Sequence, residues 1–181
     1  ELIAGDHELL DQGYSPMTIR FFLLQAQYRS TIDFSNDALK AAEKGYKRLT
    51  NAFRLISKME AVGGSSVNSD LDSEIDELCK QLYLEMSDDF NTPKTIAVLF
   101  DLGNKINSFA NNQIPLNSIS KETFNNMKAT FSTFITEVLG LEDEVEGGSN
   151  KLEDVMQMLI EMRAEARANK NWDLSDEIRD K

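Results

Sequence analysis

Five basic side chains that recur at helical spacing are the first candidates for chemistry in this sequence. They are, with Asn51 in the one gap, Lys40, Lys44, Lys47, Arg54 and Lys58. Residues three and four apart lie on the same face of an α-helix, so these groups form one positive stripe. Such a stripe can neutralise the phosphates of a nucleic-acid backbone. The alternative is a solvated face whose charges offset acidic neighbours.

A second basic cluster lies close to the end of the sequence and is followed by its single tryptophan. Arg163, Arg167 and Lys170 share a predicted helix face, and Trp172 comes just after them. Unpaired bases stack on exposed aromatic rings and on guanidinium planes. This segment therefore predicts a contact with single-stranded bases. The alternative is that Trp172 closes a helical hairpin by packing.

The paired carboxylates of Asp88 and Asp89 are the candidate for acid–base or metal chemistry. They precede Thr92-Pro93, which predicts a helix start with Thr92 as the cap. Negative charge at a helix N-terminus is stabilised by the helix dipole, by about 0.3–1 kcal/mol. The structural interpretation is therefore favoured over a metal site.

Other reactive residue types are scarce. Arg29 is a candidate surface cation for phosphate, and its alternative is a favourable charge at a helix C-terminus. The single Cys79 predicts a small buried hydrophobe and a reducing compartment, and the single His7 cannot build a multi-histidine site. We therefore expect neither catalytic residues nor metal ligands in this chain.

The overall charge argues against indiscriminate binding to nucleic acids or anionic membranes. The 181 residues carry 19 Lys and Arg against 31 Asp and Glu, a net charge of −12. The charge is uneven, because residues 15–61 hold eight basic and four acidic groups, 8 − 4 = +4. No segment approaches the roughly 18 uninterrupted apolar residues of a membrane span, so we expect no membrane contact.

The elements that position these groups all repeat at the helical period. Ser15, Ser35 and Ser120 are predicted N-caps, the helix after Ser35 is expected to run to about Ala61, and Gly140 is predicted to end the last helix of the bundle. We predict an all-α fold, an antiparallel bundle of about five helices followed by a truncated αα-hairpin. The predicted divisions are a strap over 1–14, the bundle over 15–140, a linker over 141–150 and the hairpin over 151–181.

Three separated motifs resemble cysteinyl-tRNA synthetases, in the right order and over nearly the whole chain. They are Ser15-Pro16-Met17-Thr18-Ile19-Arg20-Phe21-Phe22 with Tyr28-Arg29-Ser30, Met86-Ser87-Asp88-Asp89-Phe90-Asn91-Thr92-Pro93, and Lys170-Asn171-Trp172 with Asp176-Glu177-Ile178-Arg179. The family's four-residue DALR motif reads Met17-Thr18-Ile19-Arg20 here, so only the arginine is unchanged. Gln27 stands where the family usually has histidine.

The resemblance implies the helical tRNA-binding domain and the start of the anticodon module of a class I enzyme. Such an enzyme activates cysteine with ATP and attaches it to tRNA(Cys) in the cytoplasm. By the resemblance, Trp172 and Asp176 contact the anticodon. ATP and zinc belong to a catalytic domain of the same chain that precedes residue 1, so no cofactor and no catalysis are expected in this piece.

Two rivals differ in class from this hypothesis. One is the helical part of a related ligase that attaches cysteine to an amino-sugar acceptor, and the other is a helical protein-interaction module. The segment around Trp172 weighs against the first rival, because such relatives lack a full anticodon module. The sequence starts without Met and stops inside a helical pattern, so we expect a piece of a longer protein.

Overall fold

The computed structural model describes residues 13–62 and 67–144. Within these ranges the chain forms five α-helices, a 3-10 turn and a π-helical turn, and it forms no strand. The helices are α1 (Pro16–Leu24), α2 (Asn36–Lys58), α3 (Ser69–Ser87), α4 (Thr92–Ala110) and α5 (Lys121–Thr133). The 3-10 turn covers Leu116–Ser118 and the π-helical turn Phe134–Val138. The predicted all-α fold with about five helices is confirmed.

The predicted serine caps are present. The hydroxyl oxygens of Ser15, Ser35 and Ser120 accept the backbone N–H three residues ahead, at 3.1, 3.3 and 3.0 Å. Each such cap satisfies one orphan donor and stabilises its helix by about 1 kcal/mol. At α4 the predicted cap is wrong by one residue: the side chain of Asn91 accepts from the Lys94 N–H, and Thr92 is already helical.

Helix α2 ends at Lys58 and not near Ala61, because a side chain from another helix satisfies its last carbonyls. Nζ of Lys128 on α5 donates to the Ser57 and Met59 carbonyl oxygens at 3.2 and 2.7 Å. Met59 then turns to an extended conformation. A positive charge at a helix C-terminus also complements the helix dipole. This stop signal comes from a residue about 70 positions away, so the local sequence around Ala61 did not contain it.

The core joins α1, α2 and α4 around one phenylalanine. Helix α1 packs on α2, α2 packs on α4, and α3 packs on both α4 and α5. The fully buried ring of Phe21 contacts the rings of Tyr46 and Phe100. A Cβ at Gly45 would lie 2.9 Å from Phe21 Cε1, so the glycine of α2 allows this ring to approach the helix backbone.

The compact unit of the bundle continues to Glu142, and a second unit begins at Asp143. Leu141, placed at the start of the linker by the sequence pattern, is fully buried and belongs to the bundle core. Residues 1–12 of the predicted strap, most of the linker, and the hairpin lie outside the described residues. The predicted site residues of the hairpin also lie outside the described residues. They are Arg163, Arg167, Lys170, Trp172 and Asp176.

Cys79 is buried on α3, as predicted for a small hydrophobe. Burial raises the pKa of its thiol from 9.0 to about 11, the Asp76 carboxylate adds to this effect, and a hydrogen bond with Thr130 opposes it. The folded state therefore favours the neutral thiol. The contribution of this thiol to stability is fully present below its pKa in the unfolded chain and is lost as pH rises through about 11, its pKa in the folded protein.

We therefore expect urea titrations to show a free energy of unfolding that falls between pH 9 and 11. The comparison is with Cys79→Ala, which lacks the thiol and should show a shallower fall. Equal slopes for the two proteins would contradict the assignment to Cys79.

Candidate nucleic-acid interface

The exposed face of α2 carries the predicted basic stripe. Lys44, Lys47, Arg54 and Lys58 are exposed and Lys40 is half-buried, while Leu39, Ala42, Leu49 and Ile56 of the same helix are buried in the core. The apolar side is therefore held against α1 and α4, which keeps the opposite side turned to solvent. From Lys40 to Lys58 the stripe rises through 18 residue steps, or about 27 Å at 1.5 Å per residue.

Lys47 makes an exposed ion pair on the stripe. Lys47 Nζ lies 2.8 Å from Glu43 Oε1, an ion pair one turn apart on the helix. Exposed pairs of this kind contribute only about 0.3–0.5 kcal/mol, so a phosphate can replace the carboxylate. The arrangement can bind successive phosphates of a backbone.

Arg48 extends the basic surface from α2 toward α4. It was not among the predicted residues, because it lies off the three- and four-residue spacing of the stripe. Its guanidinium carbon is 5.0 Å from the centroid of the Phe100 ring, and its Nη2 donates to Asn104 Oδ1 at 3.1 Å. These contacts hold the planar group at the edge of the stripe. The available sequence signal was one more basic residue directly beside Lys47.

Arg29 lies in a different cluster, at the turn that follows α1. Its Nη2 is 3.6 Å from Asp89 Oδ2, its guanidinium carbon is 5.1 Å from the Tyr28 ring centroid, and the Tyr28 hydroxyl donates to Asp89 Oδ1 at 2.8 Å. The hydrogen bond to Asp89 raises the pKa of the Tyr28 hydroxyl. Because α1 ends at Leu24, the alternative of a cation at the C-terminus of α1 is wrong.

The two neighbouring carboxylates have different partners. Asp88 Oδ2 lies 3.6 Å from Lys94 Nζ, while Asp89 faces Tyr28 and Arg29. Over residues 13–62 and 67–144, no three His, Cys, Asp or Glu side chains are grouped as metal ligands would be. Asp88 and Asp89 instead tie the turn between α3 and α4 to its surroundings. No helix in the same ranges is long and apolar enough to cross a membrane.

Arg20, the retained arginine of the variant four-residue motif, joins the start of the bundle to its end. Its Nε donates to the Leu139 carbonyl oxygen at 3.0 Å. The next residue, Gly140, has φ +58°, and a Cβ there would lie 2.5 Å from Arg20 Nη2. Leu141 N–H then donates to the Ile135 carbonyl and the Tyr46 hydroxyl to the Glu142 carbonyl, so the end of the bundle is pinned. Spacing alone had suggested no role for Arg20.

The chain is similar in sequence to known proteins. Residues 82–142 match the DALR domain family. Over 99% of its length the chain is 47% identical to a cysteine–tRNA ligase of Cytophaga hutchinsonii and 43% identical to one of Porphyromonas gingivalis. A cysteine–tRNA ligase of Prochlorococcus marinus is 34% identical over 95% of the chain.

These matches confirm the resemblance seen in the motifs, and the chain is related to the cysteine–tRNA ligases over nearly all of its length. It covers 36% of the length of the first two relatives. All three of these relatives are named cysteine–tRNA ligases.

Proposed function

We propose that this chain is the tRNA-binding helical part of a cysteine–tRNA ligase, and that the exposed basic face of α2 contacts tRNA phosphates. The observation that carries the proposal is the alignment of Lys44, Lys47, Arg54 and Lys58 on the solvent side of a helix whose other side is buried. Phosphate contacts of this type set the position and register of a nucleic acid without reading its bases.

The acidic remainder of the bundle supports a restricted mode of binding. Residues 62–111 hold three basic and nine acidic groups, 3 − 9 = −6, next to the +4 of residues 15–61. A phosphate backbone is therefore attracted to one face and repelled from others, which favours a single orientation over many. The net charge of −12 excludes promiscuous binding and is compatible with specific binding.

Base recognition is assigned to the segment after residue 150. The proposed anticodon contacts are Trp172, through stacking, and Asp176, through hydrogen bonds that its carboxylate accepts from base amino or imino groups. Arg163, Arg167 and Lys170 would add phosphate contacts beside them. This assignment rests on the family resemblance and on the chemistry of the residue types.

Catalysis is assigned to the part of the ligase outside these 181 residues, in the cytoplasm. By the family resemblance, adenylate formation from ATP and cysteine, and zinc binding, belong to that other part of the ligase. Arg29 is a further phosphate contact only if tRNA displaces Asp89 from it.

The test is to measure binding of cysteine tRNA to the complete ligase in a series of salt concentrations. Release of counterions by several phosphate contacts gives a linear fall of log K with log salt, of about 0.7–0.9 per contact. We expect a slope that corresponds to several contacts, and weaker binding of a tRNA with an exchanged anticodon. Binding that is independent of salt would contradict phosphate contact. Failure to bind any tRNA would favour a protein-interaction module.

A further inference from the structure

An exposed apolar groove lies between the end of α1 and the turn that joins α3 to α4, and the proposed tRNA contact does not use it. Its volume is about 450 Å³, and it is lined by Leu23, Leu24, Ala26, Tyr28, Phe90 and Thr92. Three of these side chains are unusually open for their size: Leu23 is 52% exposed, Tyr28 60% and Phe90 68%. Clustered exposed hydrophobic groups of this kind mark interaction sites.

The turn that presents Phe90 is conformationally strained. Asp89 and Phe90 have φ of +55° and +53°, a region that costs a residue with a side chain about 1–2 kcal/mol. The Asp89 carboxylate is held by Tyr28 and Arg29, and the Phe90 N–H donates to the Met86 carbonyl at 3.2 Å. Several interactions of the bundle thus stabilise a strained conformation in which an aromatic ring is exposed to solvent. Strain maintained in this way clusters at functional sites.

The charges around the groove favour a protein occupant over a nucleic acid. Arg29 is paired with Asp89, and Lys94 lies within 3.6 Å of both Glu85 and Asp88. These two cations face three carboxylates, 2 − 3 = −1, so the rim does not attract phosphate. The lining of the groove is mostly aliphatic and aromatic, which suits apolar side chains.

We propose that this groove docks the catalytic portion of the same cysteine–tRNA ligase, which inserts an apolar side chain between Leu23 and Phe90. The proposal rests on the proposed function, since it requires the chain to be part of such a ligase. The supporting observation is length: the chain covers 36% of its relatives, so about 64% of such a ligase remains to cover the groove. The docking holds the tRNA-binding bundle in a set orientation to the site of aminoacylation.

The test uses the complete ligase with Phe90 replaced by the photo-crosslinker p-benzoylphenylalanine. Since the Phe90 side chain is largely exposed, the replacement leaves the bundle folded. Irradiation and peptide mass spectrometry are expected to give an intramolecular cross-link from position 90 to the catalytic portion. The matched control is the same replacement at Val138, which is 40% exposed and lies outside the groove, and it should not give that cross-link.

A second measurement tests the energetic role. Phe90→Ser should weaken docking about 30-fold, since burial of a phenylalanine side chain contributes about 2 kcal/mol. Amide hydrogen exchange of the cross-linked catalytic segment should become correspondingly faster, while Val138→Ser should leave it unchanged. Cross-links from position 90 to bound tRNA or to a second ligase molecule, or none at all, would overturn the proposal.

The outcomes also separate this proposal from the proposed function. A position-90 cross-link to the catalytic portion in a ligase whose tRNA binding shows no salt dependence would refute the phosphate contact alone. Salt-dependent binding of cysteine tRNA without that cross-link would refute the docking alone.

Discussion

The triple replacement of Lys44, Arg54 and Lys58 by alanine is expected to weaken binding of cysteine tRNA by about 100-fold near 0.15 M salt. If each side chain neutralises one phosphate, the slope of log K against log salt falls by about 0.9 per residue, or roughly 2.7 in all. Extrapolated to about 1 M salt, the affinities of the two proteins should converge. Fluorescence titrations of labelled tRNA at five or more salt concentrations measure both quantities.

The matched control replaces Lys80 and Lys121, two exposed lysines outside α2, by alanine. This change also makes the net charge more negative, by two units against three in the triple variant, but it removes no group of the stripe. We expect its salt slope to equal that of the unaltered protein. Equal losses in the two variants would show that the effect comes from total charge, and an unchanged slope in the triple variant would refute the contact with α2.

Gly140→Ala is expected to lower the free energy of unfolding by about 2.5–5 kcal/mol. The left-handed backbone at φ +58° costs a residue with a Cβ about 1–2 kcal/mol. The new Cβ would also lie 2.5 Å from Arg20 Nη2, so the guanidinium must move away from the Leu139 carbonyl. Loss of a hydrogen bond to a charged group adds about 1.5–3 kcal/mol. Thermal unfolding should show a melting temperature lower by roughly 5–15 °C.

Two comparisons make this result specific. Gly103→Ala is the control, because a Cβ there meets only the Ala52 Cβ at an ordinary 3.5 Å and the residue is within α4. It should be neutral or slightly stabilising. In a protein that already carries Arg20→Ala, the cost of Gly140→Ala should be smaller, since the clash is gone and only the backbone cost remains. Equal costs in both backgrounds would contradict the described contact.

Local signals were sufficient for most of the helix boundaries. Ser15, Ser35 and Ser120 cap their helices as predicted, because a cap depends on a side chain and an N–H only three residues apart. Two boundary predictions were wrong, one because of a neighbouring residue and one because of a residue far along the chain. Asn91 took the role predicted for Thr92, since an asparagine side chain caps equally well one residue earlier. Helix α2 ended early because Lys128 satisfies its carbonyls.

The residues of the candidate site likewise fall into those predicted from the sequence and those whose contacts are seen only in the structure. The stripe on α2 could be derived from spacing, and the structure places its members on the solvent side. The ion pair between Arg29 and Asp89 could not be derived from spacing. These two residues are about 60 positions apart and meet only through the packing of the bundle. The same applies to Arg48 over Phe100. For Trp172 and Asp176 the support is the family resemblance together with the chemistry of the two side chains.

The sequence by itself determined the helical class, the caps, the amphipathic α2 and the relation to cysteine–tRNA ligases. These properties depend on residues within one or two helical turns of each other, or on motifs that are read directly. The tertiary structure decided where α2 stops, which carboxylate faces which cation, and how Arg20 closes on Gly140. It also decided that Phe90 is exposed beside an apolar groove. Such contacts join residues dozens of positions apart, and only the folded chain brings them within bonding distance.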